Sequence, residues 1–274
     1  PQLTMHRADL LQALEQAVPA TSIALGKKLV SFEAPGNAQP GPIRLAFADG
    51  THDDVDVLIG ADGIHSVVRT GLFGPESPEF TGVVAYRAVV PADKLDGVPN
   101  LGAFTKWWGP NPSSQIVTFP LNLGRDIFVF ATTPQDSWTL ESWTAPGDVH
   151  ELRAMYADYH PEARALLDAC DSVLKSALYV RDPLPQWSRD RLSLLGDASH
   201  PMMPFMAQGA GMAIEDAVVL SRHLAAVGPS AELSTLAAAL ARYEVSRRER
   251  TARVQIGSRG NQWLKEGGNA DWVY

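Results

Sequence analysis

The sequence predicts an α/β fold interrupted by an antiparallel sheet and followed by a long helix. Three observations lead there. Two short runs, Val55–Gly60 and Arg191–Leu195, have strand length, and the first lacks the polar alternation of a half-exposed strand, as expected for burial on both faces of a parallel sheet. Between them, from Phe80 to Thr132, strand-like runs succeed one another with turn signals and no helical period, the pattern of an antiparallel meander. Two stretches near the end, Gln208–Ala226 and Ala231 to Leu264, repeat apolar residues at helical spacing.

Taken in order, Arg7–Val18 reads as a helix whose Leu10, Leu11, Leu14 and Val18 form one apolar face. Strands are expected at Ile23–Phe32 and Ile43–Ala48. The Gly- and Pro-rich loop APGNAQPGP joins them, and an Asp49-Gly50 turn follows. After Val55–Gly60 comes the loop ADGIHS and a short helix through Arg69. The antiparallel block comprises Phe80–Val90, Gly102–Trp108, Ile116–Pro120 and Ile127–Thr132. Helices are expected at Val149–Tyr159 and Glu162–Cys170, parted by His160-Pro161. The helix from Gln208 stops at Gly228-Pro229. The last one buries Leu233, Leu236, Leu240, Tyr243 and Val254 and exposes Arg247, Arg248, Arg250, Arg253 and Arg259. The expected boundaries are 1–78, 79–182, 183–230 and 231–274, the first and third being parts of one interrupted domain.

Bulk properties narrow the function classes. The 274 residues are 45% hydrophobic and 20% charged, enough apolar matter for a sizeable core. A net charge of −8 argues against a nucleic-acid partner. No apolar run approaches the ~20 residues that span a bilayer. A single cysteine, Cys170, excludes an intrachain disulfide, which fits a cytoplasmic setting. No metal is expected: His52-Asp53-Asp54 reads as a hairpin turn.

The segment Leu192–Asp216, LSLLGDASHPMMPFMAQGAGMAIED, carries the most chemistry. Gly196-Asp197 ends a buried strand, where open α/β sheets bind ligands, and a carboxylate there accepts hydrogen bonds from a ribose hydroxyl. Gly209, Ala210 and Gly211 open a helix. Small residues let its N-terminus approach a planar ring, and its N–H groups stabilise negative charge. On its own, a Gly-Asp pair is more often a helix cap.

The whole string resembles the second FAD-binding motif of the FAD-dependent aromatic-ring monooxygenases. DVLIGADGIHSVVR resembles their Asp-Gly motif, with Asp62, Gly63 and Arg69 in place, and Arg7 matches the arginine that opens an earlier helix near FAD. ADGTHDDVDVLIGADGIHS, KWW at 106–108, DPLPQWSRDRLSLLGDASHPM and the terminal ADWVY resemble the salicylate hydroxylase and 6-hydroxynicotinate 3-monooxygenase branch. The Trp-x-Trp-x-Ile-Pro signature of the related halogenases is missing.

The resemblance implies an FAD-binding α/β domain interrupted by an antiparallel substrate domain. It implies hydroxylation of an activated aromatic ring, a hydroxylated aromatic or heteroaromatic acid, with NADH or NADPH and O2, through a C4a-hydroperoxyflavin. Arg7, Asp62, Gly63, Arg69, Gly196, Asp197, Gly209, Ala210 and Gly211 would bind cofactor. Pro204 and His200 would stand nearest the oxygen chemistry, and Val117, Phe119, Met203 and Phe205 would meet the substrate. Ser113, Val117 and Phe205 replace polar residues of the 6-hydroxynicotinate enzymes, which argues against that substrate. A homodimer is left open.

In the family the G-x-G-x-x-G strand, loop and helix precede the position of Pro1. The polypeptide as given is therefore expected to lack the adenosine and pyrophosphate site, and on its own to be colourless and inactive. The alternative reading is a non-catalytic remnant acting as a binding module.

Overall fold

The computed structural model describes residues 3–35, 41–111, 113–140, 142–228 and 231–260. Most of the first loop, the end of the predicted last helix and the terminal ADWVY lie outside these. Contacts divide the chain into two units. One joins the residues up to Ala24 with Phe80–Leu178, and the other joins Leu25–Glu79 with the chain from Tyr179 onward.

The elements in chain order begin with α1 (Arg7–Gln16), β1 (Leu29–Glu33), β2 (Ile43–Phe47), β3 (His52–Val55), β4 (Leu58–Gly60), α2 (Val67–Phe73) and β5 (Glu79–Pro91). Then come β6 (Thr105–Trp108), β7 (Gln115–Leu121), β8 (Asp126–Pro134), β9 (Pro146–Gly147), α3 (Val149–Met155), α4 (Pro161–Asp168) and β10 (Val173–Val180). The chain continues through β11 (Ser188–Arg189), β12 (Leu192–Leu194), α5 (Gly209–Ala225) and α6 (Leu233–Gly257).

In the first unit a six-stranded sheet runs β6-β7-β8-β5-β10-β9. Strand side chains alternate between faces. One face sends Tyr86, Ile116, Val129 and Ala131 into a core completed by Leu152 and Tyr156 of α3 and by Leu166 and Leu167 of α4. Each fully buried side chain of this size contributes about 1.5–3 kcal/mol. Strand β10 has no place in the sequence reading, because Lys175 and Ser176 interrupt its apolar run. Both are buried, and the Lys175 ammonium is neutralised by Glu151 at 2.9 Å and lies over the Tyr86 and Trp138 rings.

Helix α1 forms as predicted but buries none of its residues: Leu11 is 64% and Leu14 56% exposed. Of the predicted apolar face, Leu11, Leu14 and Val18 are exposed and Leu10 is half-buried. The segment groups with the sheet unit rather than with residues 25–79, and the Thr4 hydroxyl donates to the Pro120 carbonyl at 2.8 Å.

In the second unit the hairpin sheet β1-β2-β3 and the sheet β11-β12-β4 share a core of Ile43, Val68, Leu72, Leu192 and Leu194. The first strand starts only at Leu29, since Gly26 turns the chain at φ +76°. His52-Asp53-Asp54 belongs to β3, a polar strand paired with β2, and is not itself the turn. The predicted run at 55–60 thus splits between β3 and β4. Strands β4 and β12 pair in parallel, Leu58 to Leu192 and Gly60 to Leu194, as their shared apolar character predicted. An apolar hollow of about 250 Å³ lies beside β4, lined by residues including Leu29, Phe47, Leu58 and Asp62. No helix among the described residues is long and apolar enough to cross a membrane.

Candidate flavin site

The second unit gathers most of the expected cofactor residues. Past the end of β12 the chain turns at Gly196, with φ +61°. A Cβ there would stand 3.2 Å from that of Ala213 on α5, a tight approach that would ask the helix to give by a few tenths of an ångström, on top of the backbone conformation that favours glycine. The Gly196 carbonyl accepts from the Ser199 and His200 amides, both at 2.9 Å. This tight turn buries Ala198, Ser199 and His200 and leaves Asp197 exposed. A single carboxylate thus stands on the surface beyond the carboxyl end of a parallel strand.

The turn is clamped from behind by Asp216 of α5, which has no exposed surface. Its carboxylate takes the Gly196 amide at 3.2 Å, His200 Nε2 at 2.5 Å and Arg247 Nε of α6 at 2.8 Å. Burial pushes the Asp216 carboxyl up, but the hydrogen bonds and charges of His200 and Arg247 outweigh it and hold the carboxyl below its ordinary value. Arg247 also meets Glu215 at 2.5 Å, and Arg250 meets Glu215 at 3.0 Å. The Tyr243 hydroxyl donates to the Leu194 carbonyl, and Trp187 packs on both His200 and Tyr243. Arg247, read from sequence as part of a solvated face, is therefore buried in an ionic network. Arginine spacing on a helix does not reveal a carboxylate that faces it from another helix.

His200, expected near the oxygen chemistry, is 1% exposed and held by Asp216, and its Nδ1 has no hydrogen-bond partner among the described residues. Pro204, itself exposed, opens a 3-10 turn, Pro204–Met206, in which Phe205 is half-buried and Met206 buried; Met203, just before it, is buried as well. Helix α5 starts at Gly209, and its preceding residue Gln208 contributes no side-chain cap. The first intrahelical bond runs from the Met212 amide to the Gln208 carbonyl, so the amides of Gly209, Ala210 and Gly211 precede the helical ladder.

The Asp-Gly motif is largely committed to its own structure. Asp62 accepts from the Ser66 hydroxyl at 2.5 Å and the Val67 amide at 2.7 Å, capping α2, and Gly63 turns at φ +79°. Arg69 is 3% exposed. It donates to the carbonyls of Ala198 and Ser199, tying α2 to the Gly-Asp turn, and pairs with Glu76 at 2.7 Å. Arg181 shares Glu76 at 3.1 Å, a partnership the sequence does not signal. Burial, then the nearby Arg69 charge, lower the Arg181 pKa.

Three expected site residues belong to the first unit. Arg7 is exposed at the start of α1, Val117 is 8% exposed on β7, and Phe119 is half-buried, stacked on Phe104 and tilted against Phe128. No group of three or more metal-ligating side chains occurs among the described residues.

The sequence model of the family described as "FAD binding domain" matches residues 1–256. The chain belongs to that family, the flavoprotein aromatic hydroxylases. It is 40% identical over 272 residues to 6-hydroxynicotinate 3-monooxygenase of Bordetella bronchiseptica, covering 99% of this chain and 69% of that one. It is 35% identical over 263 residues to 3-amino-4-hydroxybenzoate 2-monooxygenase PtmB3 of Streptomyces platensis, covering 94% and 62%. A solved salicylate hydroxylase substrate complex superposes with a TM-score of 0.82 at 30% identity, over 97% of this chain and 67% of that one.

The chain is thus an FAD-dependent aromatic-ring monooxygenase with NAD(P)H as reductant, and the reading as a non-catalytic remnant is not favoured. Its residues fit the cofactor. The Gly196 turn presents one carboxylate, a hydrogen-bond acceptor for a ribityl or ribose hydroxyl. The α5 terminus presents uncapped amides, donors suited to the negative edge of a reduced flavin.

Proposed function

We propose that the substrate is a hydroxylated aromatic acid other than 6-hydroxynicotinate. Val117 carries this reading. It occupies a strand position where the hydroxynicotinate branch resembled by this sequence has a polar residue, and it lies among Phe119, Phe128 and Phe130 on neighbouring strand positions. An apolar, aromatic surface binds a benzenoid ring and offers no partner for a ring nitrogen. The three relatives described above are named for acids or their hydroxylation, in keeping with the class.

In this reading Asp197 and the α5 amides at Gly209, Ala210 and Gly211 hold the flavin. Bound FAD supplies the redox chemistry, accepting hydride from the nicotinamide and activating O2. Gly196 shapes the turn. Asp62, Gly63 and Arg69 serve the cofactor by holding α2 against that turn, and His200 orients the turn through Asp216 without itself transferring a proton. Pro204 and Phe205 border the reacting edge, Met203 supports them from the interior, and Val117 and Phe119 meet the ring. Arg7 remains assigned to the cofactor on the family pattern alone. The buried free thiol of Cys170 suits a cytoplasmic protein, and a homodimer is testable by light scattering.

The test is NAD(P)H oxidation by the FAD-loaded enzyme across a panel of hydroxylated benzoates and 6-hydroxynicotinate, with products identified by mass. A hydroxylated benzoate product with 6-hydroxynicotinate inert supports the reading. Preferred turnover of 6-hydroxynicotinate refutes it.

A further inference from the structure

Helix α6 grips the chain that follows β12 along a single ridge. Tyr243, Arg247, Thr251 and Gln255 stand four positions apart, the spacing of one ridge of a helix, and all four are buried. Tyr243 donates to the Leu194 carbonyl at the end of β12, and Arg247 holds Asp216, which takes the Gly196 amide and His200. Thr251 turns its hydroxyl back on the Arg247 and Arg248 carbonyls. Gln255 completes the row. Its Nε2 donates to the Pro201 carbonyl at 3.0 Å and to the Arg181 carbonyl at 2.9 Å.

The loop Pro201–Met206 has little backbone order of its own. Its two prolines bring no amide hydrogen, and the Ala207 amide closes the 3-10 turn on the Pro204 carbonyl at 3.0 Å. Among the described residues, Gln255 is the one side chain with a hydrogen bond to the loop's backbone. It also ties that loop to the Asp-Gly loop, because the Arg181 guanidinium donates to the Ile64 carbonyl at 3.1 Å. Gln255 is 2% exposed, and its Oε1 has no hydrogen-bond partner among the described residues. A buried amide with an unused acceptor costs free energy that an apolar side chain of the same size would not. The residue is thus a poor choice for stability alone and a good one for holding two carbonyls in place.

Resting on the reading of Pro204 and Phe205 as bordering the reacting edge of the flavin, we propose that Gln255 is a positioning residue for the hydroxylation. By holding the Pro201 carbonyl it fixes the loop that bounds that edge, and so sets how much of the consumed O2 reaches the ring. In coupled turnover NAD(P)H, a proton, O2 and the ring give NAD(P)+, water and the hydroxylated ring. In uncoupled turnover NAD(P)H, a proton and O2 give NAD(P)+ and H2O2. A loosened loop relaxes the alignment and the exclusion of water that the first course needs, and turnover shifts to the second.

The test compares wild type with three variants. Gln255→Met keeps the length of the side chain and removes both donors. Gln255→Glu keeps its shape and can donate to one carbonyl at most. Arg259→Met is the control, since Arg259 donates to the Arg181 carbonyl at 3.0 Å and not to Pro201. Hydrogen exchange of the Met202–Ala207 segment is read with and without FAD. H2O2 formed per NAD(P)H oxidised is read with salicylate, 3-hydroxybenzoate and 6-hydroxynicotinate in turn. FAD is expected to protect the segment in wild type. In FAD-loaded Gln255→Met that protection should fall about fivefold, the worth of one neutral hydrogen bond, and the H2O2 fraction should rise. Gln255→Glu should move both in the same direction by less, and it reads the effect where the Met variant does not fold. Arg259→Met should leave both at wild-type values. The inference is overturned if Gln255→Met leaves the H2O2 fraction unchanged, or if Arg259→Met raises it equally. Segment protection that does not respond to FAD in wild type defeats the reading of Pro204 and Phe205 and the inference with it. The ratio is taken on whichever acid is hydroxylated, so a rise with 6-hydroxynicotinate upholds the inference even where it defeats the proposed substrate.

Discussion

Replacing Asp216 with asparagine tests whether the clamp behind the Gly-Asp turn holds the second unit together. The carboxylate has three donors: His200 Nε2 at 2.5 Å, Arg247 Nε at 2.8 Å and the Gly196 amide at 3.2 Å. An asparagine has one acceptor oxygen, so its amide nitrogen must face one of those donors. Removing one partner of a buried ion pair costs about 3–5 kcal/mol. Arg247 keeps Glu215 at 2.5 Å, so the low end, about 3 kcal/mol, is expected. The assay is hydrogen exchange at β12 and α5, which reads this unit locally, and protection should fall about 150-fold. The sign with pH follows from the lowered Asp216 carboxyl. Its contribution is complete above the unfolded value of about 3.9 and is lost as pH falls through the folded value. The gap between wild type and variant should therefore narrow below about pH 4. Protection within about 1 kcal/mol of wild type at neutral pH would show that the network is not holding the turn.

Asp197→Ala should weaken FAD retention by about 1.5–3 kcal/mol, the worth of a charge-assisted hydrogen bond, read from flavin fluorescence; an unchanged dissociation constant in a folded variant makes Asp197 structural only. Gly196→Ala should destabilise by about 1–2 kcal/mol, because φ is +61° and the new Cβ meets Ala213 at 3.2 Å, and a thermal midpoint equal to wild type would contradict this.

The parallel pairing of β4 with β12 was legible because a strand buried on both faces shows its burial as an unbroken apolar run, however far apart its neighbours lie in sequence. Strand β10 was not legible, because its buried Lys175 is made tolerable by Glu151 and two aromatic rings that only the fold brings near. The polar β3 was missed for a related reason. Its pairing partner β2 supplies the apolar half of the hairpin, and His52-Asp53-Asp54 alone shows no strand signal.

The candidate site divides along the same line. Gly196, Asp197 and the small residues at 209–211 are readable because local backbone demands dictate them: a left-handed turn, a close approach to α5, an uncapped helix start. What holds them is nonlocal. Asp216 lies 31 positions before its partner Arg247, and Arg69 reaches the carbonyls of Ala198 and Ser199 across more than a hundred residues. Neither carries a local signature apart from its place in a motif. The motif strings contain both kinds of residue, so matching them does not separate those that touch the flavin from those that hold the contacts in place. Asp62 and Arg69 show the consequence: both match the cofactor motif, yet in the fold Asp62 caps α2 and Arg69 ties α2 to the Gly-Asp turn and Glu76. Their substitution should therefore appear first as lost order in the turn, and as lost flavin only because the turn has moved.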